Sequence, residues 1–214
     1  MRPRAGGGPV IQTAAQTSIT HMSTPHPRRG VALAVALAIL LAAGLAGPPG
    51  APSGPALASA KCKDTRKHPN GLSTRKAARA VVCLINARRA SRGRGRLDRK
   101  RDLGRAARRH STKMRRSGCF GHQCPGEGAL ASRTTHTGYL PCACRWGVGE
   151  VIGQGRNRRG SPRAVVRSWM RSGAHRRTIL NGSYRHVGPG VVHGVPGHGT
   201  RSGAIYTVDF GYKR

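Results

Sequence analysis

Gly173-Ala174-His175-Arg176-Arg177-Thr178-Ile179-Leu180, read together with Gly149-Glu150 upstream, is the most diagnostic part of this chain. His175 follows a predicted short amphipathic helix, and Glu150, 25 residues earlier, supplies a carboxylate that could pair with it. Carboxylates are scarce, since Asp and Glu total 6 against 39 Lys and Arg. Glu150 is the one acid in its segment, with His122 before it and His175 after it. These three residues therefore form a candidate site.

The first 60 residues have the composition of a targeting segment. Arg28-Arg29 precede an apolar run from Val31, and Ala58-Ser59-Ala60 supplies a small-x-small cleavage site. We predict secretion with cleavage near Ala60, and the alternative is a retained membrane anchor at residues 31–47. Because the part before the apolar run is unusually long, a true start at Met22 is a further hypothesis. The predicted domains are residues 1–60, a signal peptide with its n-region, and residues 61–214, a single domain.

The chain is strongly basic, with a formal net charge of +33. The simplest interpretation is a solvated cationic surface. The alternative is polyanion binding, to an anionic cell-wall polymer, a membrane surface or nucleic acid. Only 4% of the residues are aromatic, and no basic-aromatic interleaving suited to base stacking is present. We therefore expect no dedicated nucleic-acid binding.

All six cysteines follow the predicted cleavage site, and an even count in an exported chain favours disulfides. Six cysteines allow 15 pairings, so spacing alone leaves the connectivity open. The competing interpretation is a zinc site, although a C-x4-C followed by a C-x-C departs from the common C-x2-C knuckles. The cysteines of that alternative are Cys119, Cys124, Cys142 and Cys144.

Apolar spacing predicts three helices followed by two strands. The helices begin after Ser73, at about Asp98, and at Ser161-Pro162, where serine is the expected N-cap and proline the first helical residue. The second helix is expected to end at Gly118, and residues 118–160 are expected to be irregular. Residues 175–180 add one more helical turn. Strands are predicted at 184–193 and 204–212, which gives an α+β domain with helices around a small antiparallel sheet.

Eight short pieces, in order, resemble the CAP superfamily of SCP-like extracellular domains, and within it the short bacterial secreted branch. The pieces are Cys83-Leu84-Ile85-Asn86, Ala106-Ala107-Arg108-Arg109-His110 with Leu97, Phe120-Gly121-His122, Gly149-Glu150, Val165-Val166-x-x-Trp169-Met170, His175-Arg176-x-x-Ile179-Leu180, Tyr184-x-x-Val187-Gly188 and Tyr206-Thr207-x-Asp209-Phe210-Gly211. The resemblance covers residues 62–211. It implies an α-β-α sandwich, with a small antiparallel sheet between helical layers.

The same resemblance implies a cleft with two histidines and two glutamates that holds a divalent metal in some members. His122, Glu150 and His175 match three of these positions, and such a set suits zinc or a similar ion. The chain departs from the pattern at Val151, where the family has Asn, and at Gly173-Ala174, where it has Pro-Gly. The second glutamate has no clear counterpart, and Glu127 is the only substitute. A three-ligand site with water and a site that no longer binds metal are equally consistent with this pattern.

The resemblance also implies a Cys62–Cys83 disulfide. We then expect the other four cysteines to pair among themselves, with Cys119 and Cys124 cross-linked to Cys142 and Cys144, because the latter two lie too close in sequence to pair easily.

The remaining candidate residues have simpler interpretations. His110 lies on the apolar stripe of its helix and is expected to be a satisfied core or boundary histidine. Without the resemblance, His175 would be interpreted as a helix-terminal histidine, and Glu150 as one partner of a surface ion pair. No G-x-S-x-G elbow is present, and oxidised cysteines are not nucleophiles.

We therefore expect a non-catalytic extracellular or cell-surface binding protein, whose ligand is a lipid, a cell-wall polymer or a protein. One alternative is a metal-dependent hydrolase that uses His122, Glu150 and His175. Another is a polycationic adhesion or antimicrobial protein that acts through its charge.

Overall fold

A computed structural model describes residues 62–140, 145–197 and 203–214. The predicted signal peptide, cleavage site and anchor lie outside this range. Five helices and four strands follow one another as α1 Thr74–Ala90, β1 Asp98–Arg99, α2 Arg101–Ser117, α3 Leu130–His136, β2 Trp146–Arg156, α4 Pro162–Arg171, α5 Gly173–Leu180, β3 His186–His193 and β4 Gly203–Lys213. Two short 3-10 turns, Pro69–Gly71 and Asn157–Gly160, complete the order. Within the described ranges, no helix is long and apolar enough to cross a membrane.

The four strands form one sheet in the order β1-β3-β4-β2. β4 lies in the middle and pairs antiparallel with β2 along its whole length and with β3 along most of it. β1 is parallel to β3 and contributes only two residue pairs, Asp98 with His186 and Arg99 with Val187. The sheet is thus antiparallel apart from this short edge strand, which makes it mixed.

Helices cover both faces of the sheet. α2 lies so close to β3 that a Cβ on Gly188 or Gly190 would collide with the α2 backbone. The main hydrophobic core joins α1, α4 and α5 to the other face of the sheet, and it includes Ile85, Trp169 and Phe210, all fully buried. The predicted α-β-α arrangement is therefore confirmed.

The helix boundaries follow from the expected capping residues. Ser73 Oγ accepts a hydrogen bond from Lys76 N, and Ser161 Oγ accepts one from Ala164 N with Pro162 at the first helical position. Gly118 ends α2 with a φ of 72°, the left-handed conformation that favours glycine at this position. One boundary was wrong by a few residues, because Asp98 belongs to β1 and α2 begins at Arg101.

The segment 118–160 is the largest correction to the sequence prediction. It was expected to be irregular, yet it contains α3 and the eleven-residue strand β2. The sequence did not predict β2 because the strand contains many glycines, and glycine is depleted in strands. Here Gly147, Gly149 and Gly153 give room to aromatic side chains from other elements, so that a Cβ on Gly153 would lie 2.9 Å from Trp169 Nε1.

Two disulfides are present among the described residues. Cys62–Cys83 is the predicted pair, with the Cα atoms 5.7 Å apart. The expected cross-link of Cys119 and Cys124 to the later cysteines is wrong, because these two residues pair with each other. The turn after Gly118 brings their Cα atoms to 5.9 Å, a normal disulfide separation. Cys142 and Cys144 lie outside the described residues.

Candidate functional site

Glu150 lies on the face of β2 that is covered by α2, opposite Asp209 of β4. The preceding residue, Gly149, points to the other face, where a Cβ would collide with the hydroxyl of Tyr184 and lie 2.9 Å from its Cζ. The Gly-Glu pair therefore combines two local requirements. Glycine gives room to an aromatic ring on one face, and the glutamate enters the protein interior on the other, where it is only 5% exposed.

His122 is held against Glu150 by the loop between α2 and α3. The Cys119–Cys124 disulfide closes this loop around it. Its Nδ1 lies 2.8 Å from Glu150 Oε1, and its carbonyl accepts a hydrogen bond from Arg133 Nη1 at 3.0 Å. The sequence-predicted pair of His122 and Glu150 is thus brought into direct contact.

Arg133, on α3, is the central cation of the site and was missed by sequence reasoning. Its Nη2 donates to Glu150 Oε2 at 2.7 Å, and its Nη1 lies 3.3 Å from Glu127 Oε2. The side chain is 8% exposed, so both ion pairs are largely shielded from water. No signal in the sequence distinguishes Arg133 from the many other arginines, because α3 lies inside the segment expected to be irregular.

His110 and Glu127 extend the site beneath α2. His110 Nδ1 lies 2.7 Å from Glu127 Oε2 and 2.6 Å from Arg133 Nη1, so the tautomer decides which of the two it bonds. Its Nε2 is 3.8 Å from Glu150 Oε1 and has no hydrogen-bond partner among the described residues. His110 is therefore buried, as its position on the helix stripe predicts, but its ring is part of a charged network. Glu127 joins the site through His110 and Arg133.

These residues, together with Asp209, form what we call the polar cluster. Its members are His110, His122, Glu127, Arg133, Glu150 and Asp209. It contains three of the six acids of the chain. Their convergence on one arginine and two histidines is the main electrostatic feature of the fold.

The two facing carboxyl groups of the cluster differ in protonation. Burial, followed by the charge of Glu150, raises the pKa of Asp209 well above its usual range. Burial also acts to raise the pKa of Glu150, but the hydrogen bond from His122 and the charges of His110 and Arg133 outweigh it and hold the pKa below its ordinary value. Because two adjacent buried carboxyls cannot both ionise easily, a proton shared by this pair is held preferentially by Asp209 and the charge by Glu150.

Glu127 resembles Glu150 in its electrostatics. Burial acts to raise its pKa, and the hydrogen bond and charge of His110, together with Arg133, lower it below the ordinary value. The cluster therefore holds two carboxylate charges against one permanent cation.

His175 stands apart from the hydrogen bonds of the cluster but not from its field. It lies in the first turn of α5, is 3% exposed, and places its Nδ1 2.8 Å from Ser172 Oγ. Burial, and then the charge of His122, lower its pKa to about 4. His175 is thus neutral at neutral pH and near enough to His122 to be influenced by it, while its described hydrogen bond goes to Ser172 and not to the cluster.

The structure does not arrange His122, Glu150 and His175 as the three direct metal ligands that the sequence predicted. Across the described ranges, no group of three or more His, Cys, Asp or Glu side chains is arranged to hold a metal ion. Glu150 has both oxygens engaged, one by His122 and one by Arg133. By contrast, His122 Nε2 is buried and has no hydrogen-bond partner in the part of the chain that the structure describes.

The chain belongs to the CAP family, because the model of the cysteine-rich secretory protein family matches residues 82–210. A curated relative, the uncharacterized protein YkwD of Bacillus subtilis (strain 168), is 32% identical over 150 residues, which make up 70% of this chain and 52% of YkwD. The chain thus spans about half the length of the curated relative it matches.

Two solved structures share the fold. An outer surface protein from Borrelia burgdorferi aligns with a TM-score of 0.56 and 17% identity, covering 67% of this chain and 97% of that one. An extracellular protein containing an SCP domain, from Bacillus anthracis str. Ames, aligns with a TM-score of 0.51 and 22% identity, covering 65% and 43%. At these identities the likeness is evidence for the fold alone, and it agrees with the predicted CAP/SCP-like architecture.

Proposed function

We propose that this protein is exported and acts outside the cell as a non-catalytic binding protein. In this proposal, His122 and His175 form a cleft that takes a divalent cation such as zinc. The signal-like first 60 residues, the two disulfides and membership of the CAP family support export, because disulfides persist in oxidising compartments.

The observation that carries the proposal is the buried Nε2 of His122. Its ring is fixed by the Nδ1 contact with Glu150, so a neutral His122 presents an unshared lone pair at Nε2. A histidine that binds a metal usually donates its other ring N–H to a carboxylate, and this bond sets the tautomer and raises the basicity of the ligand. Glu150 fits this orienting role better than the role of a direct ligand.

The second ligand in the proposal is His175. Its pKa of about 4 keeps it neutral at neutral pH, and a neutral imidazole is the form that binds zinc. Its Nδ1 is engaged by Ser172, which leaves Nε2 as the donor atom.

Binding is better supported than hydrolysis. Glu150 is held by His122 and Arg133, so it is not free to accept a proton from a bound water. The contact between Ser172 Oγ and His175 Nδ1 resembles a nucleophile with its base. However, a base with a pKa of about 4 is a poor proton acceptor near neutral pH.

The test of the metal site is calorimetric titration of the full chain with zinc. We expect near-stoichiometric binding in the wild type and a large loss in His122→Asn and His175→Asn. Glu150→Gln should weaken binding about 10- to 100-fold, because it removes the orienting carboxylate. The matched control is His136→Asn, since His136 is an exposed histidine on α3 outside the cluster.

Two results would contradict the metal site. One is the absence of zinc binding by the wild type. The other is an equal loss in His136→Asn and His122→Asn, which would indicate only adventitious binding by surface histidines. Hydrolysis of ester or peptide substrates that depends on both zinc and His122 would overturn the non-catalytic assignment.

Export is tested by expressing the full chain with its natural amino terminus in a bacterial host. We expect the protein in the medium or on the cell surface, with Lys61 as its first residue by amino-terminal sequencing. Retention in the membrane fraction with residues 31–47 uncleaved would favour the anchor instead.

A further inference from the structure

The most distinctive surface of the protein lies on the exposed side of α2, away from the polar cluster. β1 pairs with only the first two residues of β3, so the rest of β3 is an edge of the sheet in the part of the chain that the structure describes. A groove of about 520 Å³ runs along this edge between α1 and α2, with Pro189 and Val191 of β3 among its lining residues.

The walls of this groove are cationic. None of the described residues that line it is acidic, and its six basic residues are Arg75, Arg99, Lys100, Arg101, Arg105 and Arg108. A second concavity of about 400 Å³ shares Arg105 and Arg108 with it and adds Arg109, Lys113 and Arg116. The two concavities meet at these shared α2 residues, and we call them together the arginine groove.

The charges of the groove repeat along the helix. The steps from Arg101 to Arg105 to Arg109 to Lys113 are each four residues, which places neighbouring cations about one helical turn apart on the same side. Like charges at this spacing destabilise a helix. Among the described residues, the only acid within ion-pair distance of any of these side chains is Asp102, beside Arg105. The row thus weakens α2 unless an anion occupies it.

We propose that the arginine groove binds a linear polymer of phosphate groups. A row of guanidinium groups at regular spacing matches a chain of repeated anions. Arginine in particular recognises phosphate with paired N–H donors. This site is separate from the histidine cleft and does not depend on metal binding there.

The lining favours this occupant over other anions. Its described residues include no Phe, Trp or Tyr, so it offers no platform on which the bases of a single-stranded nucleic acid could stack. Pro189 lies on the open edge of β3 and removes a backbone donor there, which disfavours an acidic peptide that adds a strand to the sheet. The cations line a concave path, whose shape suits a chain better than a flat membrane.

The experiment measures binding of fluorescently labelled inorganic polyphosphate to the full chain by anisotropy, at about 50 mM and about 200 mM salt. The groove variant is Arg101→Gln/Arg108→Gln/Arg109→Gln, which spares Arg105 because that side chain also donates to Thr137 O. The control variant, Arg79→Gln/Arg88→Gln/Arg177→Gln, removes the same charge from exposed positions on α1 and α5. We expect the groove variant to bind about 10- to 30-fold more weakly and the control to change by less than about threefold.

Equal weakening of both variants would overturn the proposal, because binding would then follow overall charge. Tighter binding of phosphatidylglycerol vesicles, polyglutamate or single-stranded DNA than of polyphosphate, lost in the groove variant, would assign the groove to a different occupant and also overturn it. If the triple variant does not fold, Arg108→Gln alone should weaken binding about two- to threefold. His122→Asn should leave polyphosphate binding intact, and the groove variant should leave zinc binding intact, so that each proposal fails or stands by itself.

Discussion

Two buried arginines, Arg89 and Arg133, have opposite surroundings. Arg89 is fully buried and bonds backbone carbonyls, those of Gly95, Ile179, Asn181 and Tyr184. Arg133 is nearly as buried, but it bonds carboxylates and lies against a histidine ring.

The difference separates a structural site from a chemical one. Around Arg89, the charge is balanced by carbonyl dipoles, and two of these, from Ile179 and Asn181, lie at the C-terminal end of α5, where the helix dipole favours a cation. None of these partners can gain or lose a proton. Around Arg133, every side-chain partner is titratable, so the interaction changes with pH and with any cation that enters. Burial of an arginine alone therefore does not mark a functional site, whereas the titratability of its partners does.

The largest effect is expected from Arg89→Met. The change leaves buried carbonyls without donors, and we expect the free energy of unfolding to fall by about 4 kcal/mol. Urea denaturation at pH 4 and pH 8 should give the same loss, because no titratable partner is involved. Arg88→Met is the matched control on the exposed side of α1 and should change stability by less than about 0.5 kcal/mol.

Arg133→Met should instead give a loss that depends on pH. In the wild type, Arg133 helps to hold the pKa values of Glu127 and Glu150 below their ordinary values, which contributes stability that is present above the unfolded pKa and is lost as pH falls through the folded one. Without the guanidinium this contribution shrinks, so we expect a loss of about 3 kcal/mol at pH 8 and a clearly smaller loss at pH 4. The same loss at both pH values would mean that the two arginines are equivalent.

Gly149→Ala tests Tyr184, the residue that links the surroundings of Arg89 to the polar cluster. Tyr184 accepts a hydrogen bond from Arg89 through its carbonyl, and its hydroxyl packs on Gly149 beside Glu150. An added methyl group must displace this ring, and we expect a cost of about 2 kcal/mol in thermal or urea unfolding. Gly71→Ala, where a methyl group meets nothing within 4 Å among the described atoms, should be nearly neutral. An equally small effect at both positions would show that the ring of Tyr184 moves freely.

The smallest effect is expected from Asp209→Asn. A carboxyl whose pKa is higher in the folded than in the unfolded protein stabilises the fold at pH values below the unfolded pKa. This stabilisation is lost as pH rises through the folded pKa. The amide has nearly the same shape and cannot ionise. The variant should therefore be more stable than the wild type by roughly 1 kcal/mol at pH 8, and by less at pH 5. A variant less stable than the wild type at pH 8 would show that Asp209 is ionised in the folded protein.

Local signals in the sequence were enough to predict several elements. α1, α2 and α4 combine an apolar stripe with a capping residue, and β3 and β4 are bounded by turn residues, so each was found with small errors at its ends. The sequence also predicted that His122 and Glu150 belong to one site, and the 2.8 Å distance between His122 Nδ1 and Glu150 Oε1 agrees with that prediction. Whether His175 joins them around a metal stays a prediction.

The rest of the site depended on long-range packing. β2 has glycines at positions where strands normally carry side chains, and the rings of Tyr184, Trp169 and Tyr212, supplied by other elements, fill the space beside them. Arg133 and Asp209 look unremarkable in sequence because Glu150, which bonds Arg133 and faces Asp209, lies 17 residues from Arg133 and on the strand next to that of Asp209.

The family and its layered fold could thus be inferred from the resemblance of short motifs in the amino-acid sequence, and the individual helices and the charge from local periodicity, capping and composition. Only the folded chain shows which of the 39 cationic residues is buried among carboxylates, which of the carboxyls has a raised pKa, and which cysteine pairs with Cys119 to close the loop of His122. The physical reason is that pKa values and ion pairs depend on burial and on distances of a few ångström between residues far apart in the chain.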